Sequence, residues 1–450
     1  FNEEMMFRGF LQRLIETRLG SWWALGIISV VFGLLHLALS SPMIYLALGL
    51  PLLMRQHGWS GLEIGLFQLA GVPAVFKLLL AAPIERAPDE RATPAYQARR
   101  YRAWSLALGA GYGAALLALA FASIHSARPV LFALLLACVL LATWADVPVS
   151  ALQIRVLPPA ERARAGGVRS AAMFGAAVLG GGVMLVLSQR LGWSAPFYGM
   201  AGLLALALAL LPTLRMDGAG EDDGSARPLA VTGVQASPAT WPALLRGFLA
   251  QPGAWRWLAL LSGCFPLVGA AWVYLKPMLL GQGFAAEQVA WTVGVGGGAL
   301  GAAVSLLTGL LAPAARLPAL LPRATWFGAA ALAALAACLA CQASAAWLIA
   351  ASGWLACATG ISASVAFGLM MERARPACQA ADYGLQASFF ALGRLALMPL
   401  AGWLLDGAGS AALVAAQAVA SAGMAALAGR WMDALARGLA HRNKERIKAL

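Results

Sequence analysis

The chain is a succession of apolar segments of membrane-spanning length, separated by short polar links. The segments lie at 62–84, 103–123, 130–152, 171–188, 195–214, 255–280, 289–311, 324–343, 345–371, 384–405 and 409–429. A longer uncharged run precedes them, between Arg18 and Arg55. Because about 20 apolar residues cross the hydrocarbon core as a helix, the pattern predicts an all-α polytopic membrane protein with about twelve transmembrane helices.

The uncharged run at the start has the length of one long span or of two short ones. At about 1.5 Å per residue it is too long for one untilted helix, and Ser40–Pro42 could kink or divide it. One span leaves Arg8, Arg13 and Arg18 on the cytoplasmic side, whereas two spans would put them outside. We favour one span because Lys and Arg accumulate in cytoplasmic segments, and we place its helix at roughly 29–54 from the internal repeat described below.

The polar links alternate between Arg-rich and nearly uncharged. Links 85–102 and 153–169 carry several arginines each, but the turn between them carries only Arg128. The positive-inside rule therefore predicts a multi-pass protein of the bacterial inner (cytoplasmic) membrane, with its basic loops and C-terminus cytoplasmic. The net charge of +13 is distributed over these links and the tail, so we expect the lipid bilayer, and not nucleic acid, as its partner.

The apolar segments form two groups that echo each other. LPLLMRQHGWSGLEIGL (50–66) resembles KPMLLGQGFAAEQVAW (276–291). Two parallel six-helix repeats are the layout of major facilitator transporters. Between the groups lies an acidic, Gly- and Pro-rich linker with a short helix expected near 241–250. The predicted parts are an N-terminal six-helix half (40–214), a cytoplasmic linker (215–254), a C-terminal six-helix half (255–430) and a basic cytoplasmic tail (431–450).

Four ionisable residues interrupt the apolar segments: Lys77, Asp146, Lys276 and Arg394. A charge at the bilayer centre costs about 2.5–3.5 kcal/mol on insertion scales, so each is a candidate functional residue. The three cations would attract an anionic substrate into a central cavity, and Asp146 would pair with one of them or carry a coupling proton. In the alternative interpretation the two lysines extend to the membrane surface, Arg394 forms a structural ion pair, and Asp146 lies near a helix end.

Two triple-glycine runs also lie within apolar segments, Gly180–Gly182 and Gly296–Gly298. Small residues allow transmembrane helices to pack closely. We therefore interpret both runs as packing sites and not as phosphate-binding loops.

The segment GVPAVFKLLLAAPIER (71–86) and the following ARRYRAW (98–104) resemble the muropeptide-permease branch of the major facilitator superfamily, which includes ferric-siderophore importers. Segments 157–182, 274–284 and 380–394 resemble later parts of the same branch, so the likeness covers most of 45–430. The matching positions are Gly71, Pro73, Lys77, Ala82, Pro83 and Glu85, with Glu in place of the usual Asp. The resemblance implies a loop that latches the outward-facing state through Glu85, Arg99, Arg100 and Arg102.

The first forty residues carry a different pair of motifs. Glu3-Glu4-x-x-x-Arg8 and Phe32-x-x-x-His36 resemble CAAX-prenyl-protease and bacteriocin-processing (CPBP) intramembrane proteases. The resemblance implies a general base at Glu3 or Glu4, near Arg8, and His36 as an oxyanion-stabilising residue. The family's later His-x-x-x-Asn motif is missing, so we interpret 1–39 as a protease-like fragment. Without the resemblance these residues are an interfacial charge cluster and a lone helical histidine.

These observations predict a secondary active transporter of the major facilitator type. The two halves would rock around a central site and give alternating access to it. We expect proton-coupled uptake of an anionic, amphiphilic small-molecule solute, such as a muropeptide or a ferric siderophore. We expect no cofactor and no metal. Two alternatives stand: a glutamate-dependent intramembrane endopeptidase carried by the N-terminal segment, and a membrane partner protein that does not transport.

Overall fold

A computed structural model describes residues 21–59, 61–85, 94–214 and 240–448 of the chain. These residues are helical almost throughout and contain no strand. The α-helices are α1 (Ser21–Ile44), α2 (Leu50–Gln56), α3 (Gly61–Gln68), α4 (Lys77–Ala81), α5 (Pro94–Phe121), α6 (Arg128–Val156), α7 (Arg162–Val178), α8 (Met184–Leu191), α9 (Ser194–Leu210), α10 (Trp241–Leu249), α11 (Ala254–Gly281), α12 (Ala286–Val289), α13 (Gly298–Leu311), α14 (Leu317–Ala340), α15 (Ala345–Glu372) and α16 (Gln379–Lys448). Three π-helical turns join consecutive helices at Tyr45–Gly49, Leu179–Val183 and Ala290–Gly297.

The number of membrane-length helices agrees with the prediction of about twelve. Within the described residues, ten helical segments are long and apolar enough to cross a membrane. The last of them, Gln379–Trp431, has 53 residues and a break at Gly409, whose φ of 84° is left-handed, so it supplies two spans. The shorter apolar helix Leu69–Ala81, with α3 before it, supplies a further one. The fold is therefore all-α and polytopic, as expected.

The first span is one continuous helical stretch. Helix α1 passes into the π-helical turn and then into α2 with helical dihedral angles at the junction residues Ile44 and Leu50. Pro42 lies within α1 and does not divide it. This geometry agrees with the single-span interpretation, and the helix runs without interruption through residue 39, the predicted end of the protease-like fragment.

The second span is broken in the middle. Helix α3 is followed by the 3₁₀ segment Leu69–Phe76, which contains Pro73, and then by α4. Proline has no amide hydrogen to donate, which weakens regular α-helical bonding around it. Phe76 has a non-helical conformation (φ −103°, ψ 25°), so the chain turns just before Lys77, the first residue of α4.

The prediction that residues 85–102 form a loop is wrong in its extent. Helix α5 already begins at Pro94, so Arg99, Arg100 and Arg102 lie on a helix. Arginine is a good helix former, and proline is favoured in the first helical turn, where its missing amide hydrogen is not needed. A hydropathy pattern counts these arginines as polar link, but their backbone continues the transmembrane helix.

The described chain divides into two compact units. The first contains the described residues up to 161, those at 175–214 and 240, and the short segment 376–381. The second contains 162–174, 241–375 and 382–448. The division thus cuts the helical stretch from Arg162 to Leu191 between Phe174 and Gly175.

In the first unit, α5 packs along α6 and α9. Gly109 of α5 faces Leu208 of α9, which brings the two helices close together. Helix α1 packs against α6 and α9, and its continuation contributes Tyr45, whose ring meets Phe197 edge-on at 5.7 Å.

In the second unit, α15 is the central helix and packs against α11, α13 and α14. The buried core includes Leu275, Leu332 and Leu355. Helix α7 joins this unit through glycine contacts: a Cβ on Gly167 would lie 2.6 Å from the carbonyl oxygen of Ser305, so only glycine permits the observed approach.

Candidate functional site

The first unit contains a buried ionic cluster. The Lys77 ammonium donates to Asp146 Oδ2 at 2.6 Å, and His36 Nδ1 lies 3.6 Å from Asp146 Oδ1. The side chains of Lys77, Asp146 and His36 are 16%, 14% and 2% exposed. The sequence singles out all three residues, Lys77 and Asp146 as charges in apolar segments and His36 as part of the protease-like motif.

Three separate elements bring these side chains together. His36 lies on α1, Asp146 on α6, and Lys77 at the first position of α4. The break at Phe76 sets where α4 begins. Both α1 and α4 pack against α6, so Asp146 occupies the shared helix.

The other imidazole nitrogen of His36 is also engaged. His36 Nε2 lies 3.0 Å from Gln153 Oε1, two helical turns after Asp146 on α6. With the Gln153 amide placed in this way, the nitrogen must donate, because the amide oxygen can only accept. His36 Nδ1 then carries a hydrogen only when the imidazole is cationic. The gap between His36 and Asp146 is therefore a place for one exchangeable proton, held by either group.

This arrangement can couple protonation to the state of Lys77. An ionised Asp146 neutralises the ammonium. A protonated Asp146 leaves a nearly buried cation without its counterion, which is energetically costly. An anion that approaches Lys77 would replace the carboxylate and favour protonation of Asp146.

The second unit holds the other two predicted cations, Lys276 on α11 and Arg394 on α16. Both side chains are exposed. Across the described part of the chain, neither has a salt-bridge or hydrogen-bond partner. This differs from the structural ion pair considered for Arg394.

Helices α11 and α16 also carry aromatic rings, and a glycine-rich turn lies beside Lys276. The π-helical turn leaves room beside α11: a Cβ on Gly294 would lie 3.7 Å from Lys276 Nζ, and Gly297 faces the Trp272 ring. Helix α16 is tied to α11 by the Tyr274 hydroxyl, which donates to the carbonyl of Met398 at 2.9 Å. The rings of Phe265 and Phe390, on the same two helices, stack at 4.9 Å.

Glu85 occupies a second buried polar site in the first unit. Its side chain is 6% exposed. Glu85 Oε1 accepts hydrogen bonds from the Tyr101 hydroxyl at 2.9 Å and from the backbone amides of Ala380 and Ala381 at 2.5 and 3.3 Å. These amides belong to the first turn of α16, where amide hydrogens have no partner inside the helix. The carboxylate therefore caps that helix and interacts favourably with its dipole.

The predicted basic residues near Glu85 have separate contacts. Arg100 donates to the carbonyl of Pro83 at 3.1 Å, and Arg102 donates to the carbonyl of Leu214 at 3.5 Å. Arg99 is exposed. Arg100 and Arg102 thus bind backbone carbonyls at the ends of two other helical segments.

The protease-like motif is covered only in part. Glu3, Glu4 and Arg8 lie outside the described residues. His36 is described, and its contacts are those to Gln153 and Asp146. The protease interpretation stays a prediction.

Sequence reasoning missed Gln153 and Tyr101. Both are uncharged, so neither stands out against an apolar segment as a lysine or aspartate does. Gln153 lies two turns after Asp146 on the same helix, and Tyr101 lies within the basic run ARRYRAW. Helical spacing from a selected residue is the one signal that could have found Gln153.

Comparisons with known proteins bear on the fold. The profile of the Major Facilitator Superfamily matches residues 28–398. A crystal structure of FucP, a transporter of that superfamily in the outward conformation, shares 16% identity over 90% of this chain and 98% of its own, with a TM-score of 0.64. Another structure of FucP describes it as the E. coli fucose:proton symporter.

Two further solved structures are similar to the chain. The human organic anion transporter MFSD10 shares 17% identity over 89% of this chain and 98% of its own, with a TM-score of 0.65. A bacterial homologue of the iron transporter ferroportin, in an outward-facing state, shares 14% identity over 90% and 99%, with a TM-score of 0.64. At such identities the likeness concerns the fold.

Proposed function

Because the chain belongs to the Major Facilitator Superfamily, we propose that it is a secondary active transporter that couples proton movement to the uptake of an anionic, amphiphilic solute. The substrate classes that we propose are cell-wall muropeptides and ferric siderophores, from the resemblance of 71–104 to that branch. We also propose that it resides in the bacterial inner membrane, with its basic links and C-terminus cytoplasmic. The observation that carries the proposal is the buried cluster of Lys77, Asp146 and His36.

Proton coupling needs a group that gains and loses a proton within the membrane-spanning part of the protein. Asp146 fits this role because it is nearly buried and contacts both a cation and an imidazole. A fucose:proton symporter has the same fold, which supports a coupled mechanism.

An anionic solute is supported by the excess of positive charge in the membrane segments. Lys77 is matched by Asp146, but Lys276 and Arg394 have no carboxylate partner among the described residues. Intramembrane cations without a protein counterion favour an anion from the substrate. Phe265 and Trp272 are half-buried on the same helix as Lys276 and offer apolar surface there. An organic anion transporter shares the fold.

In the proposed cycle the anion and the proton bind together. The anion interacts with Lys77 and loosens its bond to Asp146. The Asp146 carboxylate then takes one proton, so Asp–COO⁻ and H⁺ become Asp–COOH, while His36 supplies or stabilises that proton. Release of the anion on the other side restores the Lys77–Asp146 pair and expels the proton. Alternating access of this kind is the general mechanism of the superfamily.

Glu85 is proposed as the latch. Its carboxylate holds the first turn of α16, and the rest of that helix belongs to the second unit. Breaking the contacts of Glu85 would release the start of α16. Arg100 and Arg102 would support the latch by fixing the carbonyls of Pro83 and Leu214.

Uptake by the purified chain in proteoliposomes tests the proposal. Radiolabelled ferric siderophores and muropeptides are offered with and without an imposed inward proton gradient. We expect accumulation of one of them that depends on the gradient and that Asp146→Asn abolishes. Glu63→Gln is the matched control, because Glu63 pairs with the 61% exposed Arg128 outside the cluster. Equal accumulation by Asp146→Asn and the unmodified chain would overturn the assignment.

A further inference from the structure

Two exposed histidines of the first unit face each other from separate connecting segments. His57 follows α2, and His125 lies in the turn between α5 and α6. Their ring centroids are 5.6 Å apart, with an interplanar angle of 70°. Neither residue belongs to the buried cluster or to the latch, and transport as proposed above does not use them.

The orientation of the His57 ring leaves one nitrogen available. His57 Nδ1 lies 2.8 Å from the carbonyl oxygen of Leu53, so this nitrogen carries the hydrogen and donates it. The ring is thereby held as the tautomer whose Nε2 has a free lone pair. Donation of the other ring hydrogen to a backbone carbonyl is the usual support of a metal-binding histidine.

The spacing of the rings fits a shared metal ion. Since a metal–nitrogen bond is about 2.0–2.1 Å long, two imidazoles that bind one ion at a tetrahedral angle have centroids about 5–6 Å apart. Within the described chain the His125 imidazole has no hydrogen bond, so it can turn a nitrogen towards the ion. The turn itself is fixed, because the His125 amide donates to Ser123 Oγ at 3.2 Å.

The described cation that follows His125 in the chain is already compensated. Arg128, three residues after His125, pairs with Glu63, and its guanidinium lies over the Trp59 ring at 5.0 Å from the centroid. Its positive charge is therefore compensated by a carboxylate and an aromatic face.

We propose that His57 and His125 form a binding site for a divalent first-row transition-metal ion. Imidazole nitrogen suits Cu²⁺, Ni²⁺ and Zn²⁺, and Cu²⁺ binds most strongly in that series. No group of three His, Cys, Asp or Glu side chains within the described residues could hold a metal. Water therefore completes the coordination. The ion would join the connection after α2 to the turn before α6.

Cu²⁺ titration of the tag-free, full-length chain tests this site, with electron paramagnetic resonance to count nitrogen ligands. We expect one equivalent of Cu²⁺ with two imidazole nitrogens in its spectrum. His125→Gln should weaken binding at least about tenfold and reduce the signal to one nitrogen. This variant keeps the fold, because the imidazole of His125 makes no hydrogen bond in the described structure.

A second variant and a control make the test decisive. His57→Gln should weaken Cu²⁺ binding as His125→Gln does, and Cu²⁺ should raise the thermal unfolding midpoint of the unmodified chain but not of these two variants. His441→Gln, in the tail, should bind Cu²⁺ like the unmodified chain. If His125→Gln and His57→Gln bind Cu²⁺ as tightly as the unmodified chain, or if His441→Gln removes the signal, the site is wrong.

Discussion

The two units treat charge within the membrane segments in opposite ways. In the first unit, Lys77 is bound to Asp146, and His36 stands on the other side of the carboxylate. In the second unit, Lys276 and Arg394 have no partner within the described residues. The first unit contains its own counterion, whereas the second leaves its cations for a counterion that comes from elsewhere. This difference supports the proposal that the first unit binds the proton and that the unpaired cations of the second unit help to attract the anion.

The largest effect is expected from removing the counterion in the first unit. Asp146→Asn leaves the Lys77 ammonium nearly buried and unpaired, which should destabilise the protein by about 3–5 kcal/mol. It also removes the group that binds the proton, so uptake should no longer exceed equilibrium. Thermal unfolding and gradient-driven uptake measure the two effects.

The double variant Lys77→Met/Asp146→Asn separates them. Removing both charges should restore most of the stability, because replacing a buried ion pair by apolar groups is often nearly neutral. Concentrative uptake should stay absent. If the double variant is as unstable as Asp146→Asn, the two residues do not compensate each other.

The next effect concerns the cations of the second unit. Lys276→Ala and Arg394→Ala should each raise the KM for the anionic solute by about 10- to 100-fold, since a hydrogen bond to a charged group contributes about 1.5–3 kcal/mol. Stability should hold or rise, because neither cation has a protein partner to lose. Arg323→Ala, an exposed cation at the start of α14, should leave KM unchanged. Unaltered uptake in both site variants would remove them from the substrate site.

The sequence alone could predict which charged residues lie within the membrane segments. Lys77, Asp146, Lys276 and Arg394 stood out because an ionisable residue in an apolar segment is costly. Their pairing could not be predicted, because it depends on how three helices from distant parts of the chain pack. His36 shows the limit most clearly: its local motif predicts a catalytic role, which stays a prediction, and gives no signal for its contacts with Gln153 and Asp146 of another helix.

The helices themselves were largely predictable, but their irregularities were not. Apolar length predicted the spans, and the helix expected near 241–250 is confirmed as Trp241–Leu249. The break before Lys77 and the three π-helical turns depend on packing and on local backbone geometry, for which a hydropathy pattern carries no signal. The extent of α5 was missed because charged residues in a helical turn and in a loop look alike in composition.

A substitution that disturbs helix packing only within the first unit can sharpen the comparison. Gly180 lies so close to α1 that a Cβ would overlap the carbonyl oxygen of Ser41, five residues after His36. Gly180→Ala should therefore destabilise the protein by about 1–3 kcal/mol and reduce proton coupling. Gly182 has open space around its Cβ position, so Gly182→Ala should be neutral in thermal unfolding and in uptake. Equal effects of the two variants would contradict the close contact between α1 and Gly180.

The smallest effect on stability is expected near Glu85, a buried carboxylate of the first unit. The donors to this carboxylate include the Tyr101 hydroxyl and two backbone amides. Tyr101→Phe removes only the hydroxyl that donates to Glu85 at 2.9 Å. It should cost about 0.5–1.5 kcal/mol, the usual net contribution of one hydrogen bond, because other donors to the carboxylate, among them the amides of Ala380 and Ala381, remain.

Amide hydrogen exchange of a peptide that covers 376–384 measures this loss where it acts. Exchange should be faster in Tyr101→Phe and faster still in Glu85→Gln, since a neutral side chain caps a helix N-terminus more weakly. Glu287→Gln, an exposed residue of the second unit, should not change it. If Tyr101→Phe exchanges like the unmodified chain while Glu85→Gln does not, the other contacts of Glu85 hold the carboxylate, and Tyr101 is a packing residue of α5.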